Sequence, residues 1–180
     1  MYIKNKAIMF LLLLLLLTTT IFLTGCGGDS TQQKDAVQDY LKTIENKGIY
    51  NLKLTIFYID PQILTRAPLT VNDLINFEGV TKIIIDGNEL EKHTDLLRQL
   101  DADKLNPIKK KSSVDARIYY VFETSEGNKV LDVTMWGHNA KCSVFVNGLE
   151  VNYNDVFIDI IMPFLPQTAK NNIESYLSMF

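Results

Sequence analysis

Seven consecutive leucines, Leu11 to Leu17, close an apolar run that begins at Ala7. This run divides the chain before any folding argument starts, because it cannot belong to the same water-facing unit as the rest. Lys4 and Lys6 precede it, and no acidic residue occurs before Asp29. Positive charge is retained on the cytoplasmic side of a bilayer, so cation, apolar run and small residues follow the order of an export signal. A spanning helix would need roughly 20 predominantly apolar residues. Here Thr18, Thr19 and Thr20 interrupt the run, and Gly25-Cys26-Gly27-Gly28 ends it without a cationic flank. The pattern predicts a removable leader over an uncleaved membrane anchor.

Leu23, Thr24, Gly25 and Cys26 close that leader, and the tetrad resembles the lipobox of bacterial lipoprotein precursors. The resemblance covers the first 26 residues and no more of the chain. It implies that a peptidase cuts before Cys26, whose thiol carries a diacylglyceryl group, and that the mature protein is held on the outer face of the membrane. One acyl chain binds a bilayer marginally and two hold stably, at about 0.8 kcal/mol per buried methylene. Residues 26–34 read as a flexible tether, whose stretch from Gly27 to about Gln33 reaches at most roughly 25 Å at ~3.5 Å per residue.

Removing residues 1–25 from 180 leaves 155. That is enough for one domain with a proper core and too few for two sizeable ones, which argues against a bilobed solute-binding protein. Without Lys4 and Lys6 the formal charge falls from −3 to −5, giving no footprint for nucleic acid. With Cys26 lipidated, Cys142 is the one remaining thiol, so no intramolecular disulfide forms and packing must supply the stability.

The rest, residues 35–180, predicts a single α+β domain. Val37, Tyr40, Leu41 and Ile44 share a helical face within Asp35 to Lys47, and Gly48 stands where a C′ glycine ends a helix. Leu52 to Ile59 alternates as a strand stopped by Asp60-Pro61. Thr70 to Asp73 has capping-box spacing for a short helix through Phe77. Val80 to Ile85 reads as a second strand. Asn88 then caps a helix from Glu89 to about Leu100, with Leu90, His93, Leu97 and Leu100 inward. Asp101 to Val114 reads as a long loop. Arg117 to Glu123, Lys129 to Trp136, Lys141 to Val146 and Leu149 to Tyr153 read as antiparallel strands, the last pair joined by Asn147-Gly148. Asp155 to about Met162 and a helix capped by Thr168 complete the chain. Local hairpins dominate the second half, so an antiparallel-rich sheet with helices packed on it follows.

Candidate chemistry is sparse. His93 lies on an apolar stripe, His138 occupies a turn, and neither has a partner at metal-ligand spacing. Cys142 shares a face with Val144 and Val146 and reads as a buried thiol, with Lys141 pointing to the other face. Ser112-Ser113 lacks a nucleophile elbow. Asp101 with Asp103, and Glu89 with Glu91, read as solvated helix ends. Lys109 to Lys111, with Lys104, reads as a solvated loop, the sharper alternative being contact with anionic headgroups. Tyr119 and Val121 lie on one face of their strand and Ile118, Tyr120 and Phe122 on the other, so helices cover both faces or one face awaits a partner. Tyr119, Trp136, His138 and Tyr153 are the aromatic candidates for a binding surface.

These features point to a lipid-anchored surface domain, attached to the membrane through Cys26, that binds a partner protein or a cell-envelope component. The alternatives are an extracytoplasmic enzyme with a site assembled from scattered residues, or a small-ligand-binding module. Nothing in the sequence calls for a metal, a cofactor or a particular oligomeric state.

Overall fold

The computed structural model describes residues 28–101, 105, 108, 112–137 and 142–178. In chain order the main elements are α1 (Gly28–Lys47), β1 (Leu52–Tyr58), α2 (Val71–Ile75), β2 (Thr81–Ile85), α3 (Gly87–Glu91) and α4 (Thr94–Leu97). They continue as β3 (Val114–Thr124), β4 (Lys129–Gly137), β5 (Val144–Val146), β6 (Leu149–Val151), α5 (Val156–Asp159) and α6 (Gln167–Leu177). The strands form one antiparallel sheet in the order β2-β1-β3-β4-β5-β6. Helices pack on this sheet, so the fold is α+β.

Alternation places the largest core on one face. Leu54 pairs with Phe122 and Ile56 with Tyr120 across β1 and β3, and Phe122 and Tyr120 pair in turn with Leu131 and Val133 of β4. All six side chains are fully buried. Val37, Tyr40 and Ile44 of α1, Leu90 and Leu97 of α3 and α4, and Ile173 of α6 close over them. Buried tyrosines need partners for their hydroxyls. Tyr40 donates to the Leu97 carbonyl at 3.1 Å, and Tyr120 donates to the Phe157 carbonyl at 3.0 Å. The second face carries a smaller cluster, in which Leu69 and Leu74 cover Phe57, Ile59 and Ala116. Both apolar faces of β3 therefore have helical cover at this end.

Several expected boundaries move. α1 starts at Gly28, so residues 28–34, expected as tether, are helical; no proline follows Gly28 before Pro61 to stop the helix from extending back. Asp86, not Asn88, caps α3, its side chain accepting from the Glu89 amide at 3.1 Å. The expected single helix from Glu89 breaks at Lys92-His93 into α3 and α4. Pro166 rather than Thr168 holds the N-cap position of α6, with φ −57° and an extended ψ and no side-chain capping bond. The capping box of α2 forms as expected, with the Thr70 hydroxyl accepting from the Asp73 amide and the Asp73 carboxylate accepting from the Thr70 amide. Asn147 and Gly148 both take positive φ in the β5–β6 turn.

Gly87 marks a close approach. A Cβ there would lie 2.1 Å from the Tyr50 carbonyl oxygen, whereas one on Gly127 would meet open space at a φ of +83°. Gly87→Ala is expected to cost about 3 kcal/mol, the upper range for overpacking. Gly127→Ala should cost about 1–2 kcal/mol from its left-handed backbone alone. Urea denaturation of both variants checks this; equal losses would contradict the packing at Gly87.

Candidate functional site

Two ionisable side chains are buried together where β3 begins. Asp115 and Arg117 are 8% and 5% exposed, and their Oδ2 and Nη2 atoms stand 2.9 Å apart. Regular alternation would put Arg117 with Tyr119, on the face of the smaller cluster. The pairing is not regular: Val114 faces Gly137 and Ile118 faces Met135, so β3 takes four steps where β4 takes two. Such a bulge re-aims side chains. Ala116, which the same alternation would put with Ile118 on the large-core face, lies in the small cluster, while Asp115 and Arg117 meet Trp136 and Tyr176 beside a shared recess.

The pair holds the loop between β1 and α2. Arg117 Nη1 donates to the Ile63 carbonyl at 2.9 Å and Nη2 to Thr65 Oγ1 at 3.0 Å. The Thr65 hydroxyl in turn donates a hydrogen bond to the Ala67 carbonyl at 2.8 Å. Asp115 Oδ1 accepts from the Leu69 amide at 3.0 Å, and the Ala116 amide donates to the Leu69 carbonyl at 2.8 Å. At the other end the Gln62 amide donates to Asp60 Oδ1 at 2.9 Å, and the Asn172 amide of α6 donates to Asp60 Oδ2 at 2.8 Å. The loop is thus tied at both ends and in the middle. At its tip Leu64 is 97% exposed and Ile63 42%.

A recess lies on each side of that tip. The smaller, about 230 Å³, is lined by Pro61, Ile63, Thr65, Arg117, Trp136 and Tyr176 among others. The larger, about 680 Å³, runs between residues 64–69 and α2, reaching Asn72, Asn76 and Phe77. Trp136 forms the floor of the smaller recess. Its φ of +101° is a strained value for a bulky residue, and its ring packs on Tyr176 with centroids 4.5 Å apart.

Among the described residues, Tyr119 and Trp136, both expected on one exposed binding surface, lie in different core clusters. Trp136 is 3% exposed and belongs to the large core, because the bulge opposite it turns the indole inward under Tyr176. Tyr119 is half-buried on the other face, stacked on Phe57 at 6.0 Å. Burial first, then the Asp132 and Glu123 carboxylates, push its phenol up to about 12. Tyr153 is 39% exposed beyond β6, and burial of its phenol raises its pKa ahead of the Asp155 contribution. His138, Cys26 and the lipobox residues Leu23, Thr24 and Gly25 lie outside the described residues, as do Lys109 to Lys111. His93 packs edge-on against Phe164 at 4.9 Å. Among the described residues no group of three His, Cys, Asp or Glu side chains is placed to hold a metal ion, and no helix is long and apolar enough to cross a membrane.

The anchoring of the Pro61–Leu69 loop escaped sequence reading because its anchors sit 46 to 54 residues away. Asp115-Ala116-Arg117 offers no visible bulge signal, and Arg117 reads as an ordinary strand residue. No protein-family profile, no curated protein and no solved structure matches the chain.

Removing one member of a buried pair leaves the other charge uncompensated, which costs about 3–5 kcal/mol. Arg117→Ala should lose that much in urea denaturation. Arg117→Lys should lose less but still measurably, since one ammonium cannot reproduce the fork that reaches Ile63, Thr65 and Asp115 together. A loss below about 1 kcal/mol for Arg117→Ala, the range of exposed pairs, would contradict the pinning.

Cys142 gives a second check. Burial pushes its thiol up to about 12 from an ordinary value of 9.0, against a smaller lowering by a backbone hydrogen bond at Trp136. Its contribution to stability is complete below pH 9 and is lost as pH rises from 9 toward 12, because the unfolded thiol ionises first. Folded Cys142 should therefore react slowly with a thiol reagent at pH 8 and quickly once urea is added. Equal rates would contradict its burial.

Proposed function

We propose that the chain is a lipid-anchored extracytoplasmic binding domain, held by a diacylglyceryl group on Cys26, that engages a cell-envelope component through the Pro61–Leu69 loop. The observation that carries the binding half is Leu64, 97% exposed on a loop that buried Arg117 and Asp115 fix in place. Ordering a loop on binding costs free energy for each immobilised group, and a loop already held avoids that cost. The two flanking recesses give the contacting surface relief. The anchoring half rests on the order of Lys4 and Lys6, the leucine run and Leu23-Thr24-Gly25-Cys26.

Each half has its own test. Cys26→Ser should abolish lipid attachment and processing together, leaving a chain that takes up no labelled fatty acid and retains its apolar leader. A processed, membrane-bound Cys26→Ser variant would contradict the lipid reading. For the loop, a photo-crosslinking residue at position 64 should give a discrete adduct in intact cells. The same residue at Tyr153, 39% exposed beyond β6, should not. Indistinguishable labelling at the two positions would remove the loop from the reading.

A further inference from the structure

We infer that β2 is a contact edge between two copies of this chain, pairing antiparallel with itself about a two-fold axis at Ile84. The sheet ends at β2 on one side and at β6 on the other, and the two edges differ. At β6 the Ile108 amide donates to the Glu150 carbonyl at 3.1 Å, and the Ser112 amide donates to the Glu150 carboxylate. Chain thus covers that edge. β2 pairs with β1 over residues 81–85 in unbroken register. Among the described residues no other backbone hydrogen bond reaches those five positions.

A straight edge with unpaired N–H and C=O groups is a template for a further strand. Thr81-Lys82-Ile83-Ile84-Ile85 is β-branched at four of five positions, a composition that suits a strand. It holds neither the proline nor the bulge that blunts an edge. Ile84 is 60% exposed, and Ile83 is half-buried beside it.

Charge selects the occupant and the register. Asp86 is still extended, with φ −82° and ψ 168°, so Lys82, Ile84 and Asp86 fall on one face at period two. Identical antiparallel strands meet about a two-fold axis, which leaves only the residue on the axis to be fixed. With Ile84 there, Lys82 stands opposite Asp86 of the second copy, twice by symmetry. Ile84 then covers its own counterpart, and on the other face Ile83 meets Ile85. With Lys82 on the axis two ammonium groups would oppose each other, which is destabilising. With Ile83 on the axis each ammonium would face Ile84 and gain no partner.

The two charged groups are free to meet. Asp86 caps α3 through Oδ1, which accepts from the Glu89 amide at 3.1 Å, and Oδ2 faces the cross-strand ammonium. In the single chain Lys82 Nζ lies 5.4 Å from the Phe57 ring centre, a contact that is weak for an exposed cation. A lysine on an edge ordinarily discourages pairing; here it admits a second copy and penalises other strands. Five residues a side are few for a permanent dimer, so the pairing is reversible.

Cysteine trapping reads both the contact and its register. Ile84→Cys is made in the full chain, expressed in one cell under two different tags, and the unclarified lysate is treated with a mild oxidant. Directly opposed residues lie about 4.5–5.5 Å apart at Cα, within disulfide reach. The expected result is a linked species carrying both tags, above the baseline of the parent with Cys26 and Cys142. Lys82→Cys should stay at that baseline, because two such residues stand four positions apart, roughly 13 Å along the strand at ~3.3 Å per residue. Adding Lys82→Glu to Ile84→Cys should cut the linked fraction about tenfold, since both cross-strand pairs become like-charged. Both side chains are exposed, so the fold does not depend on either. Ile84→Cys that links no more than the parent would overturn the inference. Equal linkage at positions 82 and 84 would overturn it as random collision, and linkage of Ile84→Cys to a different protein alone would overturn it in favour of another partner. A linked fraction unmoved by Lys82→Glu would overturn the register.

Discussion

A buried guanidinium with a buried carboxylate is the constraint on which the distinctive part of this molecule depends. Taking either charge out of water alone costs several kcal/mol, so Asp115 and Arg117 persist there because each satisfies the other and both satisfy backbone groups. Their partners, Ile63, Thr65 and Leu69, all belong to one loop. The pair consequently converts a β-bulge in the central strand into a fixed course for residues 61–69. Leu69 then delivers the chain to Thr70 and the capping box of α2. Through Leu69 and Leu74 the same constraint sets the small core on the second face. Trp136, strained opposite the bulge, is the local cost of that arrangement.

Much of the sheet was legible because side-chain period and turn chemistry agree with the tertiary result. Leu52, Leu54 and Ile56 alternate, Asn147-Gly148 tolerates positive φ, and Gly48 stops α1 where expected. What escaped reading was set by distant contacts. Asp86 and Asn88 are both competent caps, and sequence does not rank them; the close approach of Gly87 to Tyr50 goes with the earlier start. Residues 28–34 are polar and lack periodicity, so nothing local distinguishes a tether from the solvated end of a helix. Trp136 read as an exposed aromatic beside a turn, and the bulge that turns it inward has no signature in Asp115-Ala116-Arg117.

The helical course of residues 28–34 changes how the two halves of the chain relate. A flexible linker would leave a domain free to reorient above its anchor. A continuous α1 instead packs on the sheet through Val37, Tyr40 and Ile44.

Native-state hydrogen exchange on the intact protein tests the pinning of the Pro61–Leu69 loop most directly. Amides released only by global opening report the full stability, and mobile loops report almost none. The Leu69 amide, bonded to Asp115, and the Ala116 amide, bonded to Leu69, should exchange as slowly as that of Tyr120 in the centre of β3. Exchange of Leu69 and Ala116 at the rate of an unstructured segment, with Tyr120 still protected, would contradict a loop fixed by the Arg117–Asp115 pair.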